Sequence, residues 1–391
     1  MKRSFDVVII GGGVIGCASA YFLTREGSRP LSVAVIEKDP FYGTASSALS
    51  ASAFRHQFFT RPNIQMSLVN YDFIKDTRTH LKTADSDGDI GLHEGGFLFL
   101  GSEARVSHFE QVHEIQKSEG AKVQLLGPEE LKKKYPMMNT EGVGIGSLGL
   151  SGEGWFDGPA LLQAFRRKAK EQGVTFIHDE VTGLTARDGN IAEVALASGE
   201  TMGCGHAVNT AGAWSGRVAR LAGIPLPVVP SRHYVFVIES PGSLPGGHVT
   251  HDTSGTWARP EGKFFLCSAS PRIRNDPDDY SLDVDYDLFD EVIWPSLAHR
   301  IPAFEEARLL RAWAGNYDWN QFDNSAVIGP APGYGNFIFA NGFSGHGMMH
   351  SAAAGLGVSE LILHGKYRTL DLTPFQFERI ERNDPIREQV Y

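Results

Sequence analysis

The first forty residues restrict this chain more than any other stretch. Phe5-Asp6-Val7-Val8-Ile9-Ile10 is an apolar, largely β-branched run, the pattern of a parallel strand buried on both faces. It enters Gly11-Gly12-Gly13-Val14-Ile15-Gly16, which sets G-x-G-x-x-G at Gly11, Gly13 and Gly16. The segment from Val14 to Glu26 reads as a helix, with Ala18, Phe22 and Leu23 turned to the sheet. A second strand, Ser32-Val33-Ala34-Val35-Ile36, ends at Glu37, 21 residues beyond Gly16. At that spacing an acid meets the ribose hydroxyls of a dinucleotide.

Each residue has a physical task. Gly11 permits the tight turn, Gly13 lets the backbone approach a pyrophosphate, and Gly16 lets helix and strand pack closely. The helix N-terminus offers N–H groups to the phosphates. A lone G-x-G-x-x-G is weak, because glycine-rich turns are common; strand, turn, helix, strand and terminal acid in register are strong. Glu37 disfavours a 2′-phosphate, so NADP is disfavoured while FAD and NAD both stand at this point.

The formal net charge of -10 argues against a nucleic-acid footprint. An anionic substrate then needs a local basic site, because the overall field repels it. Cys17, Cys204 and Cys267 are odd in number and far apart, which gives no zinc spacing and no redox pair. No metal site is expected; His108 and His113 do not share a helical face, and the acidic stretch Asp276 to Glu291 lacks the EF-hand rhythm. Met1-Lys2-Arg3 runs straight into a core strand, and Phe5 to Ile10 is too short to span a bilayer. The expectation is a cytoplasmic chain without a membrane span.

Further along, Asn63 to Leu81 reads as an amphipathic helix, Gly96 to Leu100 as a strand, and Glu103 to Ser118 as a helix. Ala160 to Gln172 is a helix closed by Gly173. A meander around Val181 to Leu196 precedes the buried strand His206 to Asn209. A long antiparallel pattern spans about 228 to 315, and the core strand near Phe337 to Asn341 leads through a second glycine turn to a helix, Ser351 to His364. The expected fold is α/β: a discontinuous, Rossmann-like nucleotide domain (1–85, 150–222 and 320–391) with an inserted α+β substrate domain (86–149 and 223–319) on an antiparallel or mixed sheet.

Four segments occur in order: the N-terminal dinucleotide unit, Gly152-Glu153-Gly154-Trp155-Phe156-Asp157-Gly158-Pro159, Val208-Asn209-Thr210-Ala211-Gly212-Ala213-Trp214-Ser215, and Gly342-Phe343-Ser344-Gly345-His346-Gly347. Together they resemble the D-amino-acid-oxidase-like FAD oxidoreductases, the group of sarcosine oxidase, glycine oxidase and dimethylglycine dehydrogenase. Arg55-His56-Gln57-Phe58, Trp313 to Asp318 and Leu370 to Phe375 are similar to a subgroup with sarcosine- or iminodiacetate-type oxidases and a mitochondrial complex I assembly flavoprotein. The resemblance covers nearly the whole chain and selects FAD over NAD.

It implies that Gly11, Gly13, Val14, Ile15, Gly16, Glu37 and Lys38 hold the ADP half of FAD. Thr44, Ala45, Ser46 and Ser47 would line the pyrophosphate and flavin, and Val181 would meet the adenine. Thr210, Ala211, Gly212 and Trp214 would pass the phosphoribityl region. Gly342, Phe343, Ser344, Gly345, His346, Gly347 and Met348 would face the pyrimidine edge of the flavin.

The departures matter as well. The cysteine that carries FAD in monomeric sarcosine oxidase falls near Gly315, and the attaching histidine of dimethylglycine dehydrogenase has no match among Thr44 to Leu49. The FAD is therefore expected to be noncovalent. Met349 stands where a lysine would hold the substrate carboxylate, and only Lys263 lies near the place of the lysine tied to oxygen. Oxygen and another electron carrier both stay open as acceptors, as does the oligomeric state.

The implied site residues are Arg55 as carboxylate fork, Tyr317 as substrate contact or buried phenol, Arg259 as second clamp or inter-strand ion pair, and His346 against the flavin or bracing its turn. His233 and Tyr234 either face the pocket or alternate along a strand. The expected reaction is oxidation of a small secondary amino acid, sarcosine- or iminodiacetate-like, to an imine that hydrolyses. The alternatives are a flavoenzyme for a hydroxy acid or glycerol phosphate, and a flavin-bearing assembly factor.

Overall fold

The computed structural model describes residues 3–25, 30–270 and 278–388. The N-terminal unit forms as its pattern requires: β1 (Ser4–Ile10), α1 (Val14–Thr24) and β2 (Val33–Glu37). Val7, Val8 and Ile9 have no accessible surface, so β1 is a central strand covered on both faces. Position 26, where the helix was expected to end, lies outside the described residues.

The first sheet runs, in spatial order, Val327–Pro330, Phe337–Asn341, β3 (Thr201–Asn209), β1, β2 and Thr175–His178. Five of these strands, from Phe337–Asn341 to the edge strand Thr175–His178, run parallel, and Val327–Pro330 is the antiparallel edge. A hairpin, Val181–Arg187 with Asn190–Leu196, joins β3 antiparallel. The second sheet is built on β4 (Val228–Glu239) and β5 (Arg308–Asn320), paired antiparallel from Val228 with Asn320 to Glu239 with Arg308. It continues through Phe264–Ala269, Thr256–Glu261, Val249–His251, Phe97–Gly101, Ile145–Gly149 and Val123–Leu126. The first sheet thus draws on residues 4–37, 175–209 and 327–341, and the second on residues 97–149 and 228–320. This is an α/β fold with a discontinuous nucleotide-binding sheet.

Three local expectations need correction. The helix over residues 63–81 begins at Arg61, behind Thr60 and with Pro62 in its first turn, and ends at Ile74. Asp76 leaves helical geometry (φ −130°, ψ 40°), and a separate short turn, Thr77–His80, follows. The region 228–315 is not continuous sheet: helical segments from Phe289 to Arg300 close the apolar face of β4, where Phe236, Ile293, Leu297 and Phe304 pack together. The last long helix, α2 (Gly347–His364), starts four residues earlier than its small-residue pattern indicates. It packs on α1 so closely that a Cβ at Gly355 would lie 2.7 Å from the carbonyl carbon of Ala18.

No helix among the described residues is long and apolar enough to cross a membrane. Nor do these residues contain a cluster of three or more His, Cys, Asp or Glu side chains suited to a metal ion.

Candidate active site

A cleft of about 1130 Å³ runs from the carboxyl ends of β1 and β2 to the N-terminus of α2. Its extent, from the first glycine turn to the second, suits an elongated dinucleotide. Ligands of open parallel sheets bind at such strand ends.

The first glycine turn forms one wall. Gly11 has φ +102°, and a Cβ there would lie 2.6 Å from the Thr210 carbonyl oxygen. Only glycine adopts this conformation at so close an approach. At Gly16 the added Cβ would meet the Gly11 carbonyl oxygen at 2.0 Å, so turn and helix touch backbone to backbone. Thr210 ties the turn down, its hydroxyl donating to the Gly11 carbonyl at 2.8 Å. The Ser47 hydroxyl accepts the Val14 N–H at 3.1 Å, bringing the segment Thr44 to Ser47 over the turn.

Glu37 accepts N–H bonds from Gly12 at 2.7 Å and Asp39 at 2.9 Å. Burial raises its carboxyl above the ordinary range, and these backbone donors pull it back. Each oxygen keeps a further lone pair for a ligand hydroxyl. Lys38 lies 3.6 Å from the ring centre of Trp214, and Trp214 stacks on Tyr280 at 5.0 Å.

The second glycine turn forms the other end. Gly342, Ser344 and Gly345 all have positive φ, an arrangement fixed from outside by β5. The Ser344 N–H donates to the Asp318 carbonyl at 3.0 Å, the Phe343 N–H to its carboxylate at 3.1 Å, and the Asn320 N–H to the Ser344 hydroxyl at 2.9 Å. At Gly345, φ is +93° and a Cβ would lie 2.4 Å from the Tyr317 ring. The backbone donors of α2's first turn, at Gly347 and Met348, border the cleft.

The cleft therefore gathers most of the sequence-assigned cofactor residues. Gly11, Gly13, Val14, Ile15, Glu37 and Lys38 line it at the nucleotide end, with Thr44 to Ser47 and Val181. Thr210, Ala211, Gly212 and Trp214 follow, then Phe343, Gly345, Gly347 and Met348 at the far end. Gly16, Gly342, Ser344 and His346 stand behind the lining and shape it. Lining residues not assigned from the sequence include Ser50, Asp179, Glu180, Val218 and Asp318; the sequence signal for Asp318 was the Trp313 to Asp318 segment. Burial pushes its carboxyl up to about 6.

Arg55 is buried beside this end, behind the residues that line the cleft. One of its terminal nitrogens donates to the Gln57 carbonyl at 2.6 Å, and the other approaches His346 Nε2 at 3.3 Å. The guanidinium lies 4.2 Å from the ring centre of Phe58 and 5.4 Å from that of Phe99. Burial, with the Arg55 charge, holds the His346 imidazole well below its usual value. It is neutral, so Nε2 accepts from Arg55. Glu153 anchors the loop: its carboxylate accepts the His56 and Gln57 N–H groups at 2.8 and 3.2 Å. Burial pushes Glu153 up to about 7.

Burial also pushes the Tyr317 phenol up to about 12, and its ring stacks on His233 at 3.7 Å. Tyr317 lines the cleft. His233 and Tyr234 line a smaller recess next to it, together with Tyr317 and Asn316. Arg259 is placed elsewhere. It ion-pairs with Glu261, donates to the Ala51 carbonyl at 3.1 Å, and lies outside the cleft lining. Met349 packs against the apolar cluster of Phe58 and Ile64, and Lys263 is exposed.

Comparisons with known proteins agree with this fold. A family model described as FAD dependent oxidoreductase matches residues 6–361. A Xenopus laevis protein, FAD-dependent oxidoreductase domain-containing protein 1, is 41% identical over 98% of this chain and 84% of its own length. Mitochondrial sarcosine dehydrogenase of Mus musculus is 26% identical over 100% of this chain, which spans 43% of that relative. The solved structure of L-proline dehydrogenase from P. horikoshii superposes with a TM-score of 0.86 at 27% identity, covering 98% of this chain and 100% of that one.

Proposed function

The chain belongs to the FAD dependent oxidoreductase family, and from that premise we propose that it oxidises the C–N bond of a small secondary amino acid. The product is an imine, which water hydrolyses. Bound FAD supplies the two-electron acceptor for the hydride equivalent that leaves the substrate carbon.

The observation that carries this reading is the Arg55 guanidinium, buried beside the far end of the cleft and braced by Gln57 and His346. A guanidinium held in an apolar, aromatic setting suits a single carboxylate, which it can take in two parallel bonds. Tyr317 stays protonated through the neutral range and offers a hydroxyl from the cleft wall. His346 and His233 are held neutral by burial, so neither adds a positive charge at this end of the cleft. Such fixed, dry groups contribute orientation and desolvation. With Arg259 occupied by Glu261, one arginine serves the substrate, which favours a monocarboxylate of the sarcosine kind over a dicarboxylate such as iminodiacetate. Sarcosine and proline, in the names of two relatives, are both secondary amino acids.

The test is the product. Turnover of an N-methyl amino acid with an artificial electron acceptor should release the primary amine after imine hydrolysis. Acceptor reduction by hydroxy acids alone, without amine release, would sink the reading.

The FAD is held without a covalent link. By resemblance the attaching cysteine would fall near Gly315, where none stands, and burial pushes the Cys17 and Cys204 thiols up to about 12 and about 11. Neither is a nucleophilic thiolate. Acid precipitation should leave the yellow colour in solution; a yellow pellet would contradict this.

A further inference from the structure

Asp318 has no part in the chemistry above, yet its carboxyl is fixed against the turn at the far end of the cleft. Its Oδ2 accepts the Phe343 N–H at 3.1 Å, and its own carbonyl accepts the Ser344 N–H at 3.0 Å. The side chain keeps some accessible surface toward the cleft, beside Tyr317, Phe343 and Gly345. Protein surrounds it densely enough that burial pushes it up to about 6.

The charged and titratable groups around it do not share that range. Tyr317, next on the same strand, is pushed up to about 12, and His233 on the paired strand down to about 3. Arg232 on that strand is held by Asp279 at 2.5 Å. His346, at the end of the turn, is neutral, and Arg55 donates to it. The segment Ser46–Leu49 carries no ionisable group, and Gly212–Trp214 brings only Lys38, which sits over the Trp214 ring.

We propose that Asp318 takes up a proton when FAD bound in this cleft is reduced. This rests on the FAD reading, with the ring's pyrimidine edge at the second glycine turn. Two electrons and one proton, placed on N5, convert the oxidised ring to a reduced ring with one negative charge. The second proton goes to the Asp318 carboxylate, forming one O–H bond. The summed charge of ring and side chain is then the same before and after. The physical cause is Coulombic: a carboxylate beside a new anion is driven to its neutral form, more strongly where the surroundings are dry.

The midpoint potential of the bound flavin against pH tests this. Each proton coupled to a two-electron reduction changes the equilibrium tenfold per pH unit, about 30 mV. Below the Asp318 value in the oxidised form one proton is taken up. Between that value and its higher value in the reduced form two are taken up, giving about 60 mV per pH unit. Asp318→Asn should show about 30 mV throughout. A shallow slope in the wild-type protein, or the steep slope retained in Asp318→Asn, would overturn the proposal.

The reduced-minus-oxidised infrared spectrum gives a second readout. A protonated-carboxyl band gained on reduction in the wild-type protein and lost in Asp318→Asn supports the proposal; no such band, or one retained in Asp318→Asn, refutes it. A chain that takes up no FAD overturns the FAD reading and this proposal together, a result distinct from bound FAD with the shallow slope.

Discussion

At the scale of single residues, the site divides into groups a sequence announces and groups only a fold reveals. Gly11 was legible because a positive φ and a backbone approach of 2.6 Å leave no other choice of residue. Arg55 became a candidate through its motif, and the structure gives it a physical setting: buried, braced by Gln57 and facing a neutral histidine. Arg55→Lys tests the role. A point-charge ammonium cannot reproduce a two-bond fork, and losing one charged hydrogen bond costs about 1.5–3 kcal/mol. The expected result is a rise in substrate KM of roughly ten- to a hundred-fold with FAD content unchanged. An unchanged KM would remove Arg55 from substrate binding. Asp318 and Glu153 were not legible as carboxyls with perturbed titration. Their shifts come from burial, and burial is decided by strands that pair across the fold, not by neighbours in sequence. Arg259 shows the converse: as a sequence feature it suited a clamp, and the residue two places on, Glu261, takes its charge.

At the scale of elements, apolar periodicity located β1, α1, β2 and strands such as Phe97–Gly101 and Phe337–Asn341, because each buries a face of fixed period; Val123–Leu126, Ile145–Gly149 and Val327–Pro330 were not read from it. Boundaries were less legible. The helix from Arg61 breaks after Ile74 although its apolar pattern continues, since Asp76 departs from helical φ and ψ. The start of α2 was hidden because Gly347, Met348 and Met349 give no capping signal; the turn tied to Asp318 sets it. The segment from Phe289 to Arg300 was misread as sheet, since short apolar runs do not separate strand from buried helix. The crossing of α1 and α2 makes a prediction at this scale. Gly355→Leu inserts a side chain where a Cβ already meets the Ala18 backbone at 2.7 Å. Overpacking of this kind costs about 1–3 kcal/mol. Because α1 carries the first glycine turn and α2 the second, FAD affinity should fall together with the thermal midpoint. A lowered midpoint with unchanged FAD affinity would show that the two helices are not coupled to the cleft.

At the scale of the whole molecule, the chain leaves and re-enters its nucleotide-binding sheet, and that path places a cofactor cleft against a second, largely antiparallel sheet. β5 is the join. It pairs with β4 along its length while its end carries Tyr317 and Asp318 into the cleft. The fold and cofactor class followed from the two glycine turns at opposite ends of the sequence and the ordered motifs between them, which the open parallel sheet brings together. The substrate was less legible, because it depends on a few side chains from separate segments around Arg55. Anaerobic mixing of the FAD-loaded chain with a panel of small secondary amino acids, primary amino acids and hydroxy acids therefore bears most directly on the account. Bleaching of the flavin by secondary amino acids such as sarcosine or proline, and not by hydroxy acids, is the predicted result. Bleaching by hydroxy acids alone, or by no member of the panel, would contradict it.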